Sequence, residues 1–295
     1  MTKYINKDKL LYYQERFESR NRPISAEMIM TNFCNYDCEY CRYKHGKGYF
    51  KFEDFKKAVR KLQGIGVKGF ILTGGGEPLL NPDIEKILNW LDENKIPYGI
   101  NTNFTKYIEN NPKWVKVSLH DNYDLENVIS NIKRFRSRNR ETVLGIQAII
   151  EDIEDIEKFY NKYKDLDVDY IAFRPLEVQY KAYKDKEVEK IVKELEKLRN
   201  KDDKVLINYK WYMMDKKFEK CYANWTIITV DYLGDVWYCC HKPQEIVGNL
   251  FKDKDIMKLK REWTSDMSKC DIPCRMTCNN IIMKEYREIE HIEFM

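Results

Sequence analysis

Apolar positions along the chain switch repeatedly between a spacing of two and a spacing of three or four, and each switch marks an expected element. Residues 4–20 carry an amphipathic helical pattern that Arg22-Pro23 breaks. Strands are expected at 24–30, 67–73, 97–102, 114–120, 142–150 and 168–174. Helices are expected at 52–63, 82–93, 124–138, 153–163 and 186–199, with Gly64 stopping the first of these. Six strands alternating with helices predict an α/β fold with parallel strands. Six units are too few for a closed eight-fold barrel and suffice for an open, partial (β/α)6 TIM-like one. Chemistry in barrels of this kind sits at the C-terminal ends of the strands.

The pattern changes after residue 205. Cys221 is followed by twelve residues and Gly234, then by four residues and Cys239. Asp-Tyr-Leu-Gly-Asp-Val-Trp-Tyr-Cys predicts a β-hairpin turning at residues 233–235, which returns the strand bearing Cys239 toward Cys221. Gly248-Asn249 comes next, then a helical run ending at Trp263, then Cys270, Cys274 and Cys278 with three residues in each gap. The chain therefore divides into a helical lead-in (1–21), an α/β core (22–205) and a small α+β region (206–295).

Charge excludes more than it assigns. The 52 basic and 48 acidic residues leave a net +4, and the Lys-rich stretches are interleaved with Glu and Asp. They read as solvated helix faces rather than a phosphate-binding stripe, so no nucleic acid is expected as a partner. No apolar run approaches the roughly 18 residues of a membrane helix, and the first residues are too polar for a signal peptide. A cytoplasmic protein with no membrane association is expected. Nine cysteines in such a chain argue for reduced thiols and metal, and six of the nine lie beyond residue 220.

The first expected strand runs into Thr-Asn-Phe-Cys34-Asn-Tyr-Asp-Cys38-Glu-Tyr40-Cys41. Thiolates are soft ligands, and a loop of this kind can wrap three of them around one iron–sulfur cluster. A cubane has four irons, so one iron would remain for an outside ligand. A zinc site stays open as well, with His45 the nearby candidate for a fourth ligand. At the end of the second strand stands Thr73-Gly74-Gly75-Gly76-Glu77-Pro78. Glycines there let the backbone approach a ligand, and Glu77 could help hold an ammonium group. Gly64-Ile-Gly66-Val-Lys-Gly69 also fits the letters of a dinucleotide fingerprint, but it follows a helix and precedes a strand, the reverse of that motif.

The cysteine motif, the Gly-Gly-Glu-Pro motif and the six β/α units together resemble the radical S-adenosylmethionine enzymes, over residues 22–205. The resemblance implies that Cys34, Cys38 and Cys41 bind three irons of a 4Fe–4S cluster while S-adenosylmethionine chelates the fourth. It implies that Gly74, Gly75, Gly76 and Glu77 receive the cofactor's amino group and that Tyr40 lies near its adenine. Ser118, in Val-Lys-Val-Ser-Leu-His, matches a position that touches the ribose or methionine part. Asn103 closes the third strand in Asn-Thr-Asn-Phe, where the family commonly has Thr-Asn-Gly. Arg174 ends the sixth strand and is a candidate partner for a carboxylate, or one half of a surface ion pair.

The last third resembles the Twitch and SPASM extensions of the same enzymes, which carry auxiliary iron–sulfur clusters. Full SPASM uses seven cysteines for two clusters, and six stand here. One auxiliary 4Fe–4S cluster of the Twitch type is therefore expected, held by Cys221, Cys239, Cys274 and Cys278, with Cys270 an alternative ligand. Two clusters, a disulfide and zinc are the other readings. Cys240 is left over, either as a small buried apolar group or as a hydrogen-atom donor. The implied chemistry is reductive cleavage of S-adenosylmethionine, fed by an external donor such as flavodoxin or ferredoxin. The resulting 5′-deoxyadenosyl radical takes a hydrogen from substrate. Dehydrogenation of a small polyol or sugar-type molecule is the expectation. The alternatives are epimerisation, peptide or protein side-chain modification, and an iron–sulfur electron-transfer scaffold without cofactor chemistry.

Overall fold

The computed structural model describes residues 23–41, 43–119, 124–176, 185–208, 211, 221, 227–240 and 242–263. The expected lead-in helix, His120 at the end of the fourth expected strand, Cys270, Cys274 and Cys278 lie outside them. The elements in chain order begin β1 (Ser25–Ile29), α1 (Phe52–Gly64), β2 (Gly69–Thr73), α2 (Ile84–Glu93), β3 (Tyr98–Thr102) and β4 (Trp114–Ser118). They continue α3 (Leu125–Arg138), β5 (Val143–Ile150), α4 (Glu154–Tyr163), β6 (Tyr170–Pro175), α5 (Asp185–Lys201) and β7 (Val205–Ile207). The hairpin β8 (Ile227–Asp231) and β9 (Asp235–Cys239), then β10 (Lys242–Asn249) and α6 (Ile256–Trp263), complete the series.

Ten strands form one sheet in the order β10-β9-β8-β1-β2-β3-β4-β5-β6-β7. Strands β8 and β1 through β7 run parallel, while β8, β9 and β10 pair antiparallel. The parallel α/β architecture expected from the alternating pattern is present; β7 adds a strand beyond the six expected, and β8, the first strand of the expected hairpin, joins the same sheet. Parallel pairing of β8 with β1, Ser25 against Ile227 through Ile29 against Asp231, carries the sheet across residue 206. The hairpin turn at Gly234 is closed from Gly234 N–H to the Asp231 carbonyl, 2.9 Å, at φ +80.

Alternation decides which face meets the helices. Val115 and Val117 are buried while Trp114, Lys116 and Ser118 between them are half-exposed. Phe70, Leu72, Ile100, Leu144, Ile146, Ile171 and Phe173 fall on the same side as the two valines and join α1 residues Phe55, Ala58, Val59 and Leu62 in one core. Trp211 belongs to that core as well, with its Nε1–H donating to the Phe173 carbonyl at 3.1 Å.

Helix α2 starts two residues later than its apolar pattern suggests. A 3-10 turn at Pro78–Leu80 intervenes, and Asn81 Oδ1 takes the Asp83 N–H at 2.8 Å. The false dinucleotide motif resolves as a helix end. Gly66, at φ +110, turns the chain out of α1, and its N–H closes onto the Gln63 carbonyl at 3.0 Å. Among the described residues no helix is long and apolar enough to cross a membrane.

On the opposite face, two glycines make room for aromatic rings from the next strand. A Cβ on Gly99 would sit 2.0 Å from Trp114, and one on Gly145 would sit 2.0 Å from Tyr170. Gly145→Ala should therefore cost about 1–3 kcal/mol in urea unfolding. Gly69→Ala, whose Cβ would meet nothing within 4 Å, should stay within about 0.5 kcal/mol of wild type.

Candidate functional site

The cysteine loop leaves β1 and returns beside it. Thr31 bridges Tyr49, Asn32 N–H bonds the Gly48 carbonyl at 3.0 Å, and Gly48 N–H returns to Asn32 Oδ1 at 2.7 Å. These bonds close the neck of the loop, so its interior residues are presented as one unit. Burial alternates from Asn32 to Tyr40, placing Cys34, Tyr36, Cys38 and Tyr40 on the half-buried side. A turn from Cys41 N–H to the Cys38 carbonyl, 2.8 Å, follows, and Cys41 is half-buried too.

Burial pushes the Cys34 thiol up to about 11 and raises Cys41 as well, with repulsion among the thiolates adding a smaller push. Three thiolates so placed need positive charge between them, which irons supply on binding. The residues fit an iron–sulfur cluster in donor softness and number. His45 Nε2 lies 3.9 Å from Cys41 Sγ. Among the described residues no three His, Cys, Asp or Glu side chains converge on a single-ion site.

The glycine loop packs directly on the cysteine loop. Gly76 N–H donates to the Thr31 carbonyl at 2.9 Å, and Glu77 N–H to the Phe33 carbonyl at 2.9 Å. A Cβ on Gly76 would fall 2.0 Å from the Phe33 oxygen, and one on Gly74 would fall 1.8 Å from the Gly76 oxygen. Two of the three glycines are thus required by the protein's own backbone. Gly75 is different, since its Cβ would make only ordinary contacts with Tyr43 at 3.4 Å and Ile29 at 3.7 Å.

Glu77 is buried to 2% exposure and joins the loops. Its carboxylate accepts from Leu79 N–H at 3.0 Å, Thr102 Oγ1 at 2.6 Å and Asn103 N–H at 2.7 Å. Burial pushes its carboxyl up to about 7, against the pull of those three bonds. A carboxylate has about four lone-pair directions, so one remains for a further donor. Asn103 also reaches the cysteine loop, its Nδ2 donating to Asn35 Oδ1 at 2.9 Å.

The residue after Asn103 departs from the family's Thr-Asn-Gly, and the structure shows how. Phe104 adopts φ +58, the left-handed conformation that favours glycine. Its ring is fully buried, edge-on to Phe135 at 5.7 Å. Roughly 1–2 kcal/mol of backbone strain is outweighed by burial of a phenyl ring worth about 3–5 kcal/mol.

The remaining expected residues spread over neighbouring strand ends. Ser118 ends β4, and Gln147 Nε2 donates to its Oγ at 2.9 Å. Arg174, half-buried on β6, stands opposite Ile149. Cys221 and Cys240 are buried together with Ile227, and Cys239 and Ile71 pack against them. Sequence reasoning missed Tyr43, which spans the two thiol groups. Its ring lies 6.0 Å from Trp237, and its hydroxyl donates to the Cys240 carbonyl at 3.4 Å. The one signal for it was an aromatic residue two positions after Cys41.

Residues 28–163 match the family model described as the Radical SAM superfamily. This stretch, a little under half of the chain, is similar to a radical SAM domain. Solved structures resemble the chain around that domain too. SuiB of Streptococcus suis bound to the precursor peptide SuiA matches at TM-score 0.65 and 16% identity, over 88% of this chain and 69% of that one. SuiB bound to S-adenosylmethionine matches at TM-score 0.62 and 16% identity, over 88% and 68%. Histidine-tagged anSMEcpe with bound AdoMet matches at TM-score 0.65 and 18% identity, over 84% and 83%. At these identities the likeness is one of fold. No curated protein sequence matches the chain.

Gly76→Ala should lower stability by about 1–3 kcal/mol in urea unfolding, since Phe33 backbone cannot move aside without opening the cysteine loop. Gly75→Ala should stay within about 0.5 kcal/mol of wild type. Glu77 predicts a pH dependence. Its folded pKa lies above the ordinary 4.5, so its contribution to stability is fully present below 4.5 and is lost as pH rises through about 7. Unfolding of the cofactor-free protein between pH 5 and 8 should show a decline on the order of 3 kcal/mol. Glu77→Gln should lack this part of the decline.

Proposed function

We propose that the protein is a radical SAM enzyme that binds S-adenosylmethionine at the cluster of Cys34, Cys38 and Cys41. The carrying observation is the contact between the three-thiol loop and the glycine loop, through Gly76 to Thr31 and Glu77 to Phe33. A ligand held on the free iron would lie against Gly75 and Glu77 at the same moment. When bound, the reduced 4Fe–4S cluster and the cofactor supply a 5′-deoxyadenosyl radical that takes hydrogen from the substrate.

The chain's own residues bind and orient. Gly75 leaves backbone open to the methionine part, and Glu77 offers its fourth lone-pair direction to the ammonium. Tyr40 takes the adenine side, Ser118 the ribose or methionine side, and Arg174 a carboxylate. Asn103 holds the third-strand loop in place beside them. A Twitch-type region would hold one auxiliary 4Fe–4S cluster through Cys221, Cys239, Cys274 and Cys278, with Cys270 as the alternative. Bound there, it would supply an acceptor for the electron that a substrate radical gives up on oxidation.

Two similar structures support a peptide or protein side chain as substrate: SuiB with SuiA, and anSMEcpe with AdoMet and the Kp18Cys peptide at TM-score 0.62 and 17% identity. A second reading, dehydrogenation of a small polyol or sugar, draws on the face opposite the helices. Glu27, Asn101, Lys116 and Gln147 line its strands. Asn101 Oδ1 is buried there without a hydrogen-bond donor among the described residues, and a hydroxyl-rich ligand would satisfy it.

Anaerobically reduced protein incubated with S-adenosylmethionine should release 5′-deoxyadenosine, measured by mass spectrometry. Cys34→Ala, Cys38→Ala and Cys41→Ala should each fall to background, and Gly75→Ala should need more cofactor to saturate. Wild-type protein that releases no 5′-deoxyadenosine overturns the assignment and leaves an iron–sulfur scaffold. Stimulation of that release by peptides or by polyols separates the two substrate readings.

A further inference from the structure

Three side chains form a closed ring between the cysteine loop and the end of β3. Asn35 Nδ2 donates to Thr105 Oγ1 at 3.1 Å, Thr105 Oγ1 donates to Asn103 Oδ1 at 2.9 Å, and Asn103 Nδ2 donates to Asn35 Oδ1 at 2.9 Å. Every member is donor to the next and acceptor from the last. Thr105 N–H also donates to Asn103 Oδ1 at 3.1 Å, which fixes that amide and with it the direction of the ring. Bonds arranged head to tail in this way also polarise one another.

Each end of the ring is tied to something the chemistry needs. Asn35 directly follows Cys34, the first cluster thiol in sequence. Asn103 N–H donates to Glu77 at 2.7 Å. From the far side, α3 fixes the loop with two amides one helical turn apart. Asn127 Nδ2 donates to the Thr105 carbonyl at 3.0 Å, and Asn131 Nδ2 to the Phe104 carbonyl at 3.0 Å. Burial does not force the ring to exist. Asn35 is exposed and could satisfy its amide with water. Its bonds instead join residues some 70 positions apart in the chain.

We propose that Asn35 and Asn103, joined through Thr105, are positioning residues that fix the cysteine loop, and so the open iron, against Gly75 and Glu77. This rests on the cofactor-binding reading given above. Loosening the ring would leave the three thiols able to hold a cluster while blurring the distance from its free iron to the ammonium-binding end of the site. The cost falls on cofactor binding and on the uniformity of the bound state, not on cluster content.

The test uses the full-length, cluster-loaded protein with Asn35→Ala, Thr105→Val and the double variant. Iron and sulfide content and the electron paramagnetic resonance spectrum of the reduced cluster are recorded first. S-adenosylmethionine is then titrated while the spectral change is followed. Each single variant should keep wild-type iron content and its cofactor-free spectrum. Each should bind S-adenosylmethionine about three- to tenfold more weakly, with a broadened cofactor-bound signal. The double variant should be no more than about twofold worse than the weaker single one, because either change opens the same ring. Iron loss in Thr105→Val, unchanged affinity in both single variants, or fully additive effects would each overturn the proposal. A wild-type spectrum indifferent to S-adenosylmethionine sinks the proposed function and this inference together. A responsive wild type matched by both variants sinks this inference alone.

Discussion

A carboxylate with almost no access to water sits where three loops meet, and the site's geometry follows from how it is satisfied. Glu77 takes donors from its own 3-10 turn and from Thr102 and Asn103 at the end of β3, while its backbone N–H reaches the cysteine loop. Burying an acid unaided would be costly, and each bond that reduces the cost also fixes a loop. Stability and preorganisation are therefore the same interaction viewed from two sides. Burial raises the pKa only to about 7 because these donors compensate in part.

Close backbone approach supplies the rest of the geometry. Gly74 and Gly76 exist because carbonyls occupy the space their side chains would fill. Phe104 solves a related problem in the opposite way. It accepts a left-handed backbone and recovers the cost by burying its ring against Phe135. A glycine there would be free of strain but would leave a hole in the core.

The alternating strands and helices were legible because their apolar periods are clean. Val115 and Val117 against Trp114, Lys116 and Ser118 fixed a face before any tertiary contact was known. The cysteine and glycine loops were legible because their residue types are unusual at that density. What the sequence withheld was pairing over distance. Nothing local to Ile227 says that it lies beside Ser25, so the joining of the C-terminal hairpin to β1 was invisible. The same holds for Asn35 and Thr105, ordinary polar residues whose meaning comes from a partner about 70 positions away. Glu77 could be picked out, but its protein donors could not, since a side chain's partners are set by the turn that follows.

The shared edge of β1 and β8 has a mechanical consequence. Five residues of β1 lie in parallel register with five of β8, so the strand that delivers Cys34, Cys38 and Cys41 and the hairpin that delivers Cys239 and Cys240 form one stiff plate. Tyr43 braces that plate from the side, through Trp237 and the Cys240 carbonyl. The gap between the two sets of sulfurs is then a fixed span like that between rivets on a girder, and thermal drift of a hinged lobe does not lengthen it.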